Sequence, residues 1–149
     1  MPTTRTGAGA PDGIDRDRVA NSRVGRLATV RADCVPHLVV ITFALADDVL
    51  VTAVDAKPKS TTDLQRLRNL RADPAFSLLV DKYDDDDWSQ LWWVRLDGSA
   101  EVVEDEPRRT TLVQPLVAKY PQYLDEAPAG PVIVLRPARW SAWAARDQP

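Results

Sequence analysis

The sequence predicts an α+β domain, mostly antiparallel β with helices attached, whose sheet curls into a barrel. Three observations carry that expectation. About six segments read as strands and three as helices, the strands and the last two helices falling in the order β-β-β-α-β-β-α-β. Consecutive strands mostly follow one another without the helical crossover that a parallel sheet requires. The 149 residues are 44% hydrophobic and 28% charged, close to the average for soluble globular chains, and suffice for one domain around one core.

Residues 1–12, rich in Thr, Gly, Ala and Pro, are expected to be a flexible leader, with residues 13–149 as the single domain. Gly13 to Arg23 places Ile14 and Val19 among charges and predicts a short amphipathic helix. VGRLATVR (24–31) alternates apolar and polar residues and predicts a strand, followed by a turn at Asp33 before Pro36. HLVVITFAL (37–45) and VLVTAV (49–54), separated by Asp47-Asp48, read as a hairpin. Pro58 marks a break. Ser60 and Asp63 then have the spacing of a capping box ahead of Leu64, Leu67 and Leu70, so a helix is expected from there to Ala72, before Pro74. PAFSLLVDKY and LWWVRLDGSAEVV predict two strands around an exposed Asp84–Asp87 turn, with Gly98 as a bulge. A helix over Pro107–Tyr120 and a last strand, VIVLRPARWSAWA, interrupted at Pro137, complete the count.

Composition narrows the function. There are 19 Lys+Arg against 22 Asp+Glu, a formal charge of −3, without the basic excess that duplex nucleic acid demands. No apolar run approaches the roughly 20 residues of a spanning helix, so a membrane protein is not expected. The N-terminal MPTTRTGAGAPDG lacks the apolar core of a secretory signal. The single cysteine, Cys34, has no partner for an internal disulfide. A cytoplasmic location fits both features.

The segment Lys57-Pro58-Lys59-Ser60-Thr61-Thr62 is the most informative. A helix start offers free N–H groups and the positive end of the dipole, and lysines and hydroxyls there make a phosphate or carboxylate site. A solvated lysine pair beside an ordinary cap is the competing reading. Trp88, Trp92, Trp93, Trp140 and Trp143 all fall late in the chain, where large aromatics fill a core or an interface, or wall a flat-ring pocket. Trp92 and Trp93 are neighbours on a strand and must face opposite sides. His37, the only histidine, lacks any triad context, and a structural role is expected of it. Four consecutive aspartates in a turn diverge, so they are expected to be solvated rather than to bind metal. There is no GxSxG, HExxH or glycine-rich phosphate loop.

Taken in order, GRLATVRADCVPHLVVITFAL, VLVTAVDAKPKSTTDLQRLRNLRADPAFSLLVDKY and LWWVRLDGSAEVV resemble the pyridoxamine-phosphate-oxidase-like (PPOX class) split β-barrel family, and within it the actinobacterial branch of coenzyme F420-dependent oxidoreductases. The Lys-Pro-Lys-Ser opening, the Arg-Ala-Asp-Pro helix end and the Trp-Val-Arg-Leu-Asp-Gly strand are its most specific pieces. The resemblance implies an FMN-binding-split-barrel-like homodimer with cofactor sites between subunits. It implies an oxidoreductase in which the deazaflavin F420 supplies hydride to a small-molecule substrate. FMN is the alternative cofactor, and a non-catalytic F420 carrier the alternative role. By position, His37, Leu38 and Val39 lie along the ring, Thr52 and Ala53 near the ribityl phosphate, and Lys57, Lys59 and Ser60 on the phosphate turn. Trp93 and Arg95 match the strand that carries a Gln and an Arg in the oxidases. No side chain is implied as a nucleophile or other catalytic residue.

Overall fold

A computed structural model describes residues 2–55 and 64–146. The described residues form one antiparallel sheet with helices packed on it. Its strands are β1 (Arg5–Ala8), β2 (Gly25–Val30), β3 (Pro36–Ile41), β4 (Ala44–Ala46), β5 (Val49–Ala53), β6 (Ala75–Lys82), β7 (Trp92–Val103) and β8 (Val132–Ala144). The helices are α1 (Gly13–Asn21), α2 (Gln65–Ala72), α3 (Arg108–Lys119) and α4 (Gln122–Asp125). Strand order is β3-β2-β6-β7-β8-β5-β4, with β1 also paired to β8. The sheet curls, as the strand succession predicts, into a half-barrel.

The inner face holds the core. Leu27, Leu78, Val94, Leu96, Leu50, Ile133 and Leu135 alternate inward along their strands and meet Phe43, Val19 of α1, and Leu67 and Leu70 of α2. On the β5–β8 side the other face is buried too. Val51, Val132 and Val134 pack there against Val113 and Leu116 of α3, so these strands read as nearly continuous apolar runs. The outer face of β3-β2-β6-β7 has no such cover, and Leu38 and Val40 stay 67% and 62% exposed. That asymmetry positions everything functional below.

Four expectations are corrected. Residues 5–8, assigned to the flexible leader, form β1, whose Arg5–Ala8 pair with Ala142–Arg139. Arg5 and Arg18 each reach Asp15 at 3.1 Å, and that carboxylate is buried. A thirteen-residue strand needs a partner at its far end, and a Gly/Thr segment supplies one without demanding core volume. HLVVITFAL is not one strand but two. At the break, the Phe43 N–H leaves the ladder and donates to the Tyr120 hydroxyl at 3.1 Å, while the Phe43 ring is fully buried. Pro137 does not interrupt β8. It pairs with Gly98 where the β7–β8 register shifts, and a bulge is where a residue without an N–H can sit in a ladder. The strand count accordingly rises from about six to eight, and α4 adds a helix to the three expected.

The helix expected from Ser60 is described only from Leu64 onward, and its proposed Ser60/Asp63 cap lies outside the described residues.

Candidate functional site

Among the described residues, strand β3 ends the sheet, so one of its edges is unpaired there. Alternation along it divides the predicted contacts. His37, Val39 and Ile41 face inward, opposite Thr29, Leu27 and Gly25 of β2, and Leu38 and Val40 face outward. Two concave regions lie on either side of this strand.

The first is a cleft of ≈ 210 Å³ at the C-terminal ends of β3 and β5, between α2 and α4. Its walls are Val40, Ile41 and Thr42 on one side and Thr52, Ala53 and Asp55 on the other, with Arg66 and Tyr123 reaching in from the helices. Thr52 is buried, and its hydroxyl donates to the Thr42 carbonyl at 2.7 Å, which fixes the wall. The Tyr123 hydroxyl lies 3.1 Å from Thr42 Oγ1 and donates to Asp55 Oδ1 at 3.1 Å. Burial, first of all, pushes the Tyr123 phenol above its ordinary pKa, so it stays protonated. Burial likewise lowers the pKa of Arg66, although the Asp55 charge works against the shift. The guanidinium remains charged at neutral pH.

Thr52 and Ala53, predicted near a phosphate, therefore sit in this cleft. His37 and Val39 lie on the inward side of the neighbouring strand, with Val39 packed against the core. His37 Nδ1 is buried and finds no hydrogen-bond partner among the described residues. Its pKa is held low, first by desolvation, then by the charges of Arg31 and Arg66. At neutral pH the imidazole is thus uncharged.

The second region is a basin of ≈ 570 Å³ on the uncovered outer face. Ala28, Leu38, Leu79 and Trp93 form an apolar floor, and Arg26, Ser77, Asp81 and Arg95 surround it. The rim is paired within itself. Arg26 reaches Asp81 at 2.6 Å, and Arg95 lies 5.8 Å from the Trp93 ring centroid while donating to Asp97 at 3.1 Å. Leu38, Trp93 and Arg95 thus meet here, on the opposite side of β3 from Val39. As adjacency on a strand requires, Trp92 turns the other way, against the core and under Arg18. Lys57, Lys59 and Ser60 lie outside the described residues.

Arg66, Asp55 and Tyr123 were not anticipated. Leu64, Leu67 and Leu70 identify the buried stripe of α2, and any residue off that stripe reads as solvated. Only the tertiary meeting of α2 with the end of β5 turns Arg66 into a cleft residue. Among the described residues no group of three His, Cys, Asp or Glu could hold a metal. The Asp84–Asp87 carboxylates instead make local turn contacts, as with Asp84 accepting from the Asp86 N–H and Asp87 from the Ser89 N–H.

A curled antiparallel sheet with an open edge strand, a polar cleft at that edge and an uncovered apolar face defines the split-barrel class. Residues 15–144 match the family model described as pyridoxamine 5'-phosphate oxidase, and the chain belongs to that family. No curated protein matches it. Among solved structures, it is similar to conserved hypothetical protein Rv2991 from Mycobacterium tuberculosis, at 25% identity over 95% of this chain and 91% of that one, with a TM-score of 0.73. It is also similar to an F420 reductase, 30% identical over 88% of this chain and 98% of that one, with a TM-score of 0.63. A heme binding protein from Mycobacterium smegmatis shares the fold at 22% identity, covering 89% of this chain and 52% of that one, with a TM-score of 0.65. No helix among the described residues is long and apolar enough to cross a membrane.

Proposed function

We propose that the protein is an oxidoreductase that binds the deazaflavin coenzyme F420 along β3 and reduces a small-molecule substrate. The observation that supports this most is the edge cleft, which combines a half-buried cation, two threonines and a tyrosine beside an unpaired strand. The similarity to an F420 reductase along almost the whole of that chain supports the same choice of cofactor.

The cleft's chemistry fits such a group. On the adjoining stretch of β3, His37 Nδ1 is a buried polar atom without a partner among the described residues, and buried polar groups are ordinarily satisfied. The unpaired edge of β3 offers backbone donors and acceptors to a planar heteroaromatic ring. Thr52, Ala53 and Arg66 would face the cofactor's side chain, with Lys57, Lys59 and Ser60 extending the anion site as the sequence suggests. When bound, a reduced deazaflavin supplies a hydride, and the protein contributes orientation, exclusion of water and local charge. Arg66 orients by charge, and Tyr123, fixed by Thr42 and Asp55, holds a proton at the cleft mouth.

The protein also acts as a homodimer in this reading, with the outer face of β3-β2-β6-β7 covered by a second copy. The apolar floor of Leu38, Leu79 and Trp93 inside a ring of ion pairs has the anatomy of an interface core and rim.

A titration of the purified protein with F420 and with FMN tests the proposal, followed by turnover with reduced cofactor. A colourless protein that takes up F420 in preference to FMN is expected. A yellow protein saturated with FMN overturns the cofactor assignment, and F420 binding without reductase activity toward any acceptor leaves a carrier.

A further inference from the structure

We propose that residues 121–127 form a lid over the edge cleft, held shut by the Tyr123 hydroxyl. The inference concerns how that cleft opens, and it rests on the cofactor reading above only for the identity of what enters.

The walls of the cleft are unequal. The ends of β3 and β5 are joined by the Thr52 hydroxyl on the Thr42 carbonyl at 2.7 Å. Helix α2 is pinned to β2 by the buried bond from Asn69 to Thr29 at 2.9 Å. The wall made by Tyr123 comes from the connection between α3 and β8. There every residue from 121 to 127 is exposed except Tyr123, and Leu124 reaches 72%. Both ends of the segment are anchored. Before it, Tyr120 is buried, with its hydroxyl 2.9 Å from the Arg23 and Phe43 carbonyls. After it, Pro128 is buried and its carbonyl accepts from Arg109 at 3.0 Å. A segment fixed at both ends with little burial between them opens locally at low free energy.

Tyr123 is what closes it. Its ring sits edge-on to Tyr120, with centroids 5.8 Å apart, at the margin of the apolar cluster under α3. Its hydroxyl lies 3.1 Å from Thr42 Oγ1 and donates to Asp55 Oδ1 at 3.1 Å. Both distances exceed the roughly 2.7–2.8 Å usual between hydroxyl and oxygen acceptor, so the latch is breakable. The closed cleft holds ≈ 210 Å³, less than the roughly 300–1,000 Å³ of pockets that enclose a small ligand. Admission therefore requires the Tyr123 wall to swing outward, and its return excludes water from what has bound.

Hydrogen exchange read by mass spectrometry compares wild type with Tyr123→Phe, which keeps the ring and loses the latch. The Tyr123 and Leu124 N–H groups, bonded to the Tyr120 and Pro121 carbonyls at 3.0 and 3.1 Å, report opening. Losing hydroxyl bonds of this kind predicts exchange roughly 5- to 30-fold faster over 121–127 in the variant. Exchange in α3 and β8 should stay unchanged. Equal exchange over 121–127 in the two proteins, or an acceleration spread evenly over α3 and β8, overturns the lid. Added F420 should slow exchange over 121–127 in wild type, and stopped-flow fluorescence should show it leaving Tyr123→Phe about tenfold faster. F420 that binds without protecting 121–127, or that leaves both proteins at the same rate, overturns the lid as a cover for the site. If wild type binds no F420, the cofactor reading fails on its own, and the comparison of the ligand-free proteins decides for or against the lid.

Discussion

Asn69 donates from Nδ2 to Thr29 Oγ1 at 2.9 Å, and both side chains are buried. Gln65 extends the chain by donating to Asn69 Oδ1 at 2.7 Å. These bonds lock α2 onto β2, and Thr29 is the register partner of His37. The helix that carries Arg66 is therefore held by a polar contact as well as by Leu67 and Leu70. Replacing Asn69 with Leu strands the Thr29 hydroxyl in the core, and leaving such a group unpaired costs about 1–3 kcal/mol. Urea unfolding of Asn69→Leu should show that loss, and Thr29→Val in the same background should recover part of it. Additive effects of the two changes would show that the contact contributes little.

Tyr120 fixes the other end of the cleft. Its hydroxyl accepts from the Phe43 N–H at 3.1 Å and lies 2.9 Å from the carbonyls of Arg23 and Phe43. Lys119 Nζ donates to the Phe43 and Ser22 carbonyls at 2.9 and 2.7 Å, so the end of α3 holds the β3–β4 break in place. Tyr120→Phe removes the acceptor for a buried N–H and should destabilise the fold by about 1–3 kcal/mol. A wild-type denaturation midpoint in that variant would show that water suffices as the acceptor.

This break shows what the sequence could and could not disclose. Period-two alternation made β2, β6 and β7 legible, and the apolar stripe and the proline after Asp73 marked the end of α2. The break at Thr42-Phe43 was hidden because HLVVITFAL is uniformly β-prone, and the hydroxyl that ends the strand lies far along the chain, at Tyr120. β1 was hidden for the opposite reason, since its RTGA sequence has no apolar pattern and exists as a strand only because β8 is there to pair with it. The site divides in the same way. Leu38 and the Trp93/Arg95 pair fall together because alternation places them on one face, whereas Arg66 and Tyr123 enter the cleft through helix packing that no local pattern encodes.

Glu101 on β7 sets an acid limit to stability. The hydrogen bonds from Arg108, opposed by burial and aided by Arg136 at 3.0 Å, hold its carboxyl down to about 2. A carboxyl with a depressed folded-state pKa binds its proton more readily when unfolded, so stability falls as pH drops from about 4.5 toward 2. The side chain is 41% exposed, so solvent and salt screen much of the effect. Glu101→Gln should flatten the fall in Tm across that window by lowering the neutral-pH Tm toward the value that wild type has in acid. An unaltered acid profile in the variant would place the sensitivity in other carboxylates.

Leu38 tests the proposed dimer. In a two-fold interface each residue appears twice, and Leu38 and Val40 lie on the uncovered face with 67% and 62% of their surfaces exposed. Burying a leucine is worth about 1.5–3 kcal/mol, so two copies of Leu38 contribute enough to shift dimerisation by roughly two decades or more. Leu38→Asp removes that burial and brings an added carboxylate toward Asp81 and Asp97 on an already paired rim. The inward core is untouched, so circular dichroism and Tm of the isolated subunit should stay close to wild type. Sedimentation velocity at micromolar concentration should give a dimer for wild type and a monomer for Leu38→Asp. If the second copy completes the cofactor site, F420 affinity should fall along with dimerisation and recover at high protein concentration. A wild-type monomer that binds F420 tightly would remove the interface and leave the edge cleft as a site complete within one chain.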